Sequence, residues 1–423
     1  MRGLAPVREV LPSGMVILGK ESRATPAVTL HASVRAGTVF DPASLGGLAH
    51  FVSRTIDRGT ATRSADDIAE ELDVRGVSLS VSVNRHVLSL VCTCLVEDYP
   101  DVVSILADVL RQPQFSEAEI ETRRGEIVTL IRQDEDNPAV VAAERFMALL
   151  YGDEHPYGRP PRGTLASVDA TDRAALRQFH AARIRPSQVS LAIVGDLEPG
   201  RAIDTAARAF GDWREPEAAP LDVRLDLPGQ AAARRVRVYP MMNKAQADIA
   251  YGFTSIARSD PAFFAFTLMN NILGQYSLGG RLGDSIRERQ GMAYYVFSAL
   301  DASVIPGPLM IRAGVSPSNV ERTVSSIDEE VSKFAAGGPT EEELAESKQY
   351  LVGSLPRTLE TNVGIANYLQ MMEFFGLGLD YDVRVPGLLQ AVTRDEVHAS
   401  ARRTLDIGRA ALVVAGPYDG SPR

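Results

Sequence analysis

The stretch Val189-Ser-Leu-Ala-Ile-Val-Gly-Asp196 is an apolar strand running into a glycine turn, and the chain carries it twice. Near the C-terminus, Arg409-Ala-Ala-Leu-Val-Val-Ala-Gly-Pro417 repeats the pattern, with Gly416 lying 221 positions after Gly195. A second landmark agrees. Asp41-Pro42, which opens a helical segment, recurs as Asp260-Pro261, 219 positions later. Neither landmark is specific alone, but a shared offset is what a duplicated domain predicts. Between the copies, Glu215 to Gly229 is rich in proline and acid and has no sustained helical period, so it reads as an extended linker. The expected organisation is an N-terminal domain over 1–214, a linker over 215–230 and a C-terminal domain over 231–423.

Within the first copy the order of elements sets the class. Val28 to Val39 reads as a strand, Gly46 to Asp57 as a helix, and Ser64 as the N-cap of a helix through Leu72. Ser78 to Asn84 and Val87 to Val96 alternate around a short turn, which is a hairpin signal. Tyr99 to Arg111 and Ser116 to Asp136 then carry helical periodicity. Hairpins followed by runs of helices predict an α+β fold: two homologous domains, each a mainly antiparallel sheet with helices on one face.

Composition narrows the function. The 423 residues are 45% hydrophobic and 23% charged, with a net charge of -10, so this is a globular chain too long for one core. Its acidic balance argues against nucleic acid as the main partner, because a phosphate-binding face needs a basic excess. No apolar run approaches the roughly 18 to 20 residues of a membrane span. Met1-Arg2-Gly3-Leu4-Ala5-Pro6 lacks a signal-peptide pattern, which predicts a cytoplasmic protein; periplasmic or organellar residence after processing stays open. The two cysteines, Cys92 and Cys94, share one face of a strand-like run and read as buried. They leave neither a disulfide framework nor a cysteine-rich zinc site, and six histidines limit metal chemistry further.

The segment Gly47-Leu-Ala-His50-Phe-Val-Ser53-Arg54-Thr-Ile-Asp-Arg58-Gly-Thr60 resembles the inverted zinc motif H-x-x-E-H of the M16 metallopeptidases, the insulinase and mitochondrial-processing-peptidase family. In active members the two histidines project from one face of a helix to bind zinc, and the glutamate is the general base. Here His50 stands alone: Ser53 replaces the glutamate and Arg54 the second histidine. The family's third ligand is a glutamate from a later helix, which resembles Glu126-Ile-Val-Thr129-Leu130-Ile-Arg132. Where the family shows two glutamates, this chain has Thr129 and Leu130. A cation also stands where a ligand belongs, so this chain is expected to bind no metal.

The second copy keeps a different signature, Leu278-Gly-Gly-Arg281-Leu-Gly-Asp-Ser-Ile-Arg287-Glu-Arg-Gln-Gly291-Met-Ala-Tyr294-Tyr-Val-Phe297. Arg281 to Gln290 reads as a helix stopped by Gly291, and Tyr294 to Leu300 as the next strand. In M16 peptidases this segment supplies an arginine–tyrosine pair seven residues apart, and Arg287 and Tyr294 match that spacing. The resemblance implies that they hold substrate or steady a tetrahedral intermediate, since guanidinium and phenol donate well to an oxyanion. Further stretches match as well: Tyr151 to Pro160, Asn243-Lys244-Ala-Gln246, Gly353 to Glu360, and Phe375 to Tyr381. His155, within the first of these, reads as a structural loop residue.

The resemblance implies the LuxS/MPP-like metallohydrolase fold in a clamshell arrangement. It also implies a non-metal subunit of a heterodimeric M16 zinc peptidase. A partner with an intact H-x-x-E-H would supply zinc and the base, this chain would supply Arg287 and Tyr294, and the substrate would be a peptide or unfolded protein. The alternative is a purely structural homologue, comparable to the core subunits of the respiratory bc1 complex. That role needs neither residue. An autonomous peptidase conflicts with the lost ligands.

Overall fold

The fold is that of a computed structural model, which describes residues 3–217, 225–227, 229, 231–275 and 280–420. Much of the predicted linker (218–224, 228 and 230) and Leu278-Gly279 of the arginine–tyrosine segment lie outside the described residues. The described start of the linker is anchored: the Glu215 carboxylate pairs with Arg185 at 2.6 Å and accepts the Ser187 amide at 3.0 Å.

The chain is α+β and builds two mixed sheets. The first has six strands, β1 (Val7–Val10), β2 (Val16–Glu21), β3 (Ala27–Val34), β4 (Ser80–Val83), β5 (Leu88–Leu95) and β6 (Val189–Gly195), in the order β1-β2-β6-β3-β5-β4. The second has five, β7 (Arg235–Pro240), β8 (Ala247–Thr254), β9 (Ala293–Leu300), β10 (Pro308–Val315) and β11 (Ala411–Gly416), in the order β7-β11-β8-β10-β9. Dropping β1 makes the two sheets topologically the same. In each, the first two strands, β2–β6 and β7–β11, run parallel, and every later neighbour is antiparallel. The twin strands β6 and β11 are the two apolar repeats from which the duplication was read.

The second landmark also has one role in both copies. The Asp41 carboxylate accepts the amides of Gly47 and Ala49, each at 2.8 Å, and so caps the helix Leu48–Thr55. Asp260 accepts the Ala262 amide at 2.9 Å ahead of the helix Phe263–Asn270. At the first of these corners Gly47 has φ +87°, and a Cβ would sit 2.3 Å from the Arg162 carbonyl oxygen, so only glycine fits. The Ser64 cap is present as a reciprocal capping box with Asp67. The predicted hairpin is β4–β5, its turn held by the Asn84 side chain accepting the His86 and Val87 amides. The first predicted strand is shorter than read: β3 stops at Val34, and Thr38–Phe40 is a turn of 3₁₀ helix.

Alternation explains the first core. Leu30, Ala32, Leu90, Cys92, Leu191 and Ile193 face Phe51, Val52, Leu106 and Ile203 from three helices, all almost wholly buried. His31, Thr29 and Ser33 alternate with them and belong to the other face of β3. That face is crossed by the helix Asn362–Phe375, which comes from the far end of the chain. Its Gln370 side chain donates to the carbonyls of His31 at 2.5 Å and Ser190 at 3.0 Å and accepts from the Ser190 hydroxyl. The second sheet is treated alike: the helix Pro138–Tyr151, from the first half, lies on β8 and β11. Arg312 of β10 donates to the Ala139 carbonyl at 2.9 Å, and the Tyr151 hydroxyl to that of Pro306 at 2.9 Å.

The compact units therefore interleave in sequence. One comprises Met1–Ile131, Pro160–Arg224 and Leu355–Val383; the other comprises Arg132–Arg159, Leu225–Ser354 and Arg384–Arg423. Each takes one helix from the opposite sequence half, and the buried Gln370 amide fastens one of them. Gln370→Leu keeps the volume but strands those polar groups. It should cost about 1 to 3 kcal/mol, read as a lower urea midpoint; an unchanged midpoint would contradict the role given to this amide.

Candidate functional site

The predicted residues fall in two places, one in each compact unit. In the first unit, the helix Leu48–Thr55 buries Leu48, Phe51 and Val52 and leaves His50 and Arg54 half-buried. Ser53 is buried and its hydroxyl donates to the His50 carbonyl at 2.7 Å, so it is a helix-backbone satellite with no base character. The Nε2 of His50 is buried and makes no hydrogen bond. Burial first, then the nearby Arg162 and Arg54 guanidiniums, hold the imidazole down to about 4, so it is neutral at pH 7.

Arg54 does something the sequence did not announce. Its guanidinium donates to Glu126 at 2.9 Å, on the helix Glu117–Glu135 that also carries Thr129 and Leu130. Arg123 pairs with the same carboxylate and with Glu119 at 3.2 Å. The Glu126 carboxyl is held below the usual range, chiefly by Arg54. Thr129 spends its hydroxyl on the Gly125 carbonyl at 2.8 Å, and Leu130 offers no donor atom. Arg54 thus cross-links the helices Leu48–Thr55 and Glu117–Glu135.

Zinc does not fit these residues. Among the described residues no group of three or more His, Cys, Asp or Glu side chains is placed to hold a metal. Beside His50 stand two guanidiniums. Like charges repel, and a divalent ion would meet these guanidiniums with twice the charge of a protonated ring. His155 is structural as read: its Nδ1 accepts the Tyr157 amide at 3.0 Å, and its Nε2 donates to the Asp226 carbonyl at 2.9 Å.

In the second unit, Arg287 and Tyr294 sit on local irregularities. The predicted α-helix over 281–290 is wound as π-helix across Gly283–Arg289, and it ends at Gly291 with φ +62°. Such turns recur at functional positions because the extra residue re-aims side chains. The Arg287 guanidinium is exposed, and among the described residues its one ion pair is with Glu288, at 3.7 Å. On β9, Tyr295 pairs with Gly314 while Ala293 pairs with Val315, so Tyr294 is the extra residue of a β-bulge. The bulge turns it outward: Tyr294 is 63% exposed, and its hydroxyl lies 3.3 Å from that of Ser316. No hydrogen bond joins Arg287 to Tyr294 among the described residues; both side chains reach solvent, Arg287 beside Glu288 and Tyr294 beside Ser316. Neither the bulge nor the π-turn has a sequence signal beyond Gly291.

Comparison with known proteins matches residues 16–161 to the insulinase family, peptidase family M16, and residues 171–351 to the peptidase M16 inactive domain. An uncharacterized zinc protease of Streptomyces coelicolor is 27% identical over 98% of this chain and 90% of its own length. One from Mycobacterium tuberculosis is 28% identical over 99% of this chain and 95% of its own. Among solved structures, a peptidase M16 inactive domain from Pseudomonas fluorescens superposes with a TM-score of 0.90 at 25% identity, covering 99% of both chains. A protease from Helicobacter pylori shares the fold, with a TM-score of 0.89 at 16% identity over 97% of this chain and 99% of its own.

The neutral imidazole has a measurable consequence. An unfolded histidine protonates near pH 6.5 and His50 in the folded chain near 4, so its contribution is intact above pH 6.5 and is lost as pH falls toward 4. His31 and His86, also held down to about 4 by burial, add to the same loss. His50→Gln should therefore lose less stability than the parent between pH 7 and pH 4.5 in urea denaturation. Equal losses would show that His50 is not buried as the neutral form.

Proposed function

This chain belongs to the M16 peptidase family, and we propose that it serves as the non-metal subunit of a two-chain M16 peptidase. In this reading a partner with an intact H-x-x-E-H helix supplies the zinc and the general base. This chain supplies Arg287 and Tyr294 for substrate binding and transition-state stabilisation. The single observation that carries the proposal is a contrast between the two copies. The histidine helix has its ligand position spent on the Arg54–Glu126 ion pair, while the arginine–tyrosine segment keeps both side chains exposed, with only surface partners in Glu288 and Ser316 among the described residues. A chain kept only as scaffold has no need of the second feature.

The chemistry asked of the pair is modest. A scissile carbonyl oxygen gains negative charge as it becomes tetrahedral, and donors fixed where that charge develops lower the barrier. Guanidinium supplies a permanent charge and a forked donor set; phenol supplies a neutral donor on a rigid ring. The bulge fixes where the ring leaves the strand, so less side-chain freedom is lost when it engages a peptide. The substrate class is a peptide or unfolded protein, held by groups that read backbone carbonyls. The 1–214 and 231–423 repeats would then be two copies of one peptidase domain, divided between a silenced metal half and a retained donor half.

The purified chain should hydrolyse no peptide alone and should become active on mixing with a zinc-bearing M16 partner. In that pair, Arg287→Ala or Tyr294→Phe should lower kcat by about 10- to 1000-fold, with co-elution of the two chains unchanged. Full activity in both variants would remove the catalytic role and leave the scaffold reading. Peptidase activity of the isolated chain would overturn the division of labour.

A further inference from the structure

A second site, unrelated to the arginine–tyrosine pair, lies where the start of β7 meets the C-terminal end of the helix Arg394–Thr404. It is a cavity of about 260 Å³ in the second unit, and four of its lining residues are arginines: Arg235, Arg402, Arg403 and Arg409. In a chain whose net charge is -10, so dense a cationic lining has to be accounted for. Two of the four have acids. Arg403 pairs with Asp260 at 2.7 Å, and Arg409 with Asp406, the one acid in the lining, at 3.2 Å. Arg402 makes no ion pair with the described residues, although its place in the last helical turn suits the helix dipole.

Arg235 has no such reason to be there. It enters from a strand, is half-buried, and donates through Nη1 to the Leu149 carbonyl, while its Nε is buried without a hydrogen-bond partner. Arg54 and Arg111 also have a buried Nε without a hydrogen bond but hold a carboxylate. Arg173 has one too and, like Arg235, donates to a carbonyl, so what sets Arg235 apart is its place in a cavity lining beside three other arginines. For Arg235 burial alone acts, and lowers its pKa with no anion to offset it. A partly desolvated guanidinium without a counter-charge is unfavourable unless something anionic fills the space beside it. Two unpaired guanidiniums facing one cavity also form a fork set matched to oxyanions.

We propose that this cavity binds a small oxyanion, phosphate- or carboxylate-bearing, clamped by Arg235 and Arg402. Its volume suits a pyrophosphate- or citrate-sized group and falls short of a drug-sized ligand. Asp406 stays on Arg409 and does not compete for the other two.

The test is isothermal titration calorimetry of the full chain with pyrophosphate and, separately, citrate. One saturable site per chain is expected for at least one of them, weakening as salt rises. Arg402→Ala should weaken it at least tenfold, and Arg235→Gln should do so as well. A urea midpoint measured on Arg235→Gln shows whether that variant is folded; Arg402, at the surface, carries the test if it is not. Saturation by pyrophosphate alone assigns a phosphate-bearing ligand, and by citrate alone a carboxylate-bearing one. No saturable binding of either, or binding unchanged in Arg402→Ala, would overturn the proposal.

Discussion

The functional reading depends on one ion pair and the neutral ring beside it. Arg54 donates to Glu126 across two helices, and His50, a turn away, is kept uncharged by burial and by the guanidiniums of Arg162 and Arg54. Both members of the pair are more than a third exposed, so it adds about 0 to 1 kcal/mol to stability. Its effect is electrostatic and positional. The charge that a divalent ion would bring is already present, fixed covalently to the histidine helix, and the acid able to answer it is engaged.

The two copies carry the candidate residues at different places, His50 and Arg54 on the helix after the first capping aspartate, Arg287 and Tyr294 on a later helical turn and strand. The two sheets share strand order and sense, and the two capping aspartates open equivalent helices. On that common frame, irregular backbone occurs where Arg287 and Tyr294 sit, whereas His50 and Arg54 sit on a regular α-helix. Regular backbone with spent side chains fits a structural role. Irregular backbone that leaves a tyrosine 63% exposed costs stability, and such irregularities are over-represented beside functional sites. The relatives named as zinc proteases align along almost the whole chain, so its length and frame match theirs.

Local physics made much of this legible in the sequence. Apolar repeats ending in glycine gave the paired strands β6 and β11, the Asn84 turn gave the hairpin, and Ser64 gave a cap. The departures at Ser53 and Arg54 were visible because they interrupt, after His50, the spacing of the motif the segment resembles. What stayed hidden is long-range. Glu126 lies 72 positions from Arg54, and nothing in either helix names the other. Gln370 reads as an ordinary polar helix residue until the helix is seen lying on a sheet built from the other end of the chain. The helices Pro138–Tyr151 and Asn362–Phe375 have no strand-like neighbours in sequence to announce the exchange. The bulge at Tyr294 follows from register, which alternation alone does not fix.

The most direct measurement is the metal content of the full chain after loading with zinc and dialysis, read by inductively coupled plasma mass spectrometry. With Arg54 on Glu126 and no carboxylate or second imidazole beside His50, zinc should be far below one ion per chain and unaffected by His50→Ala. One zinc per chain, lost in His50→Ala, would contradict the account.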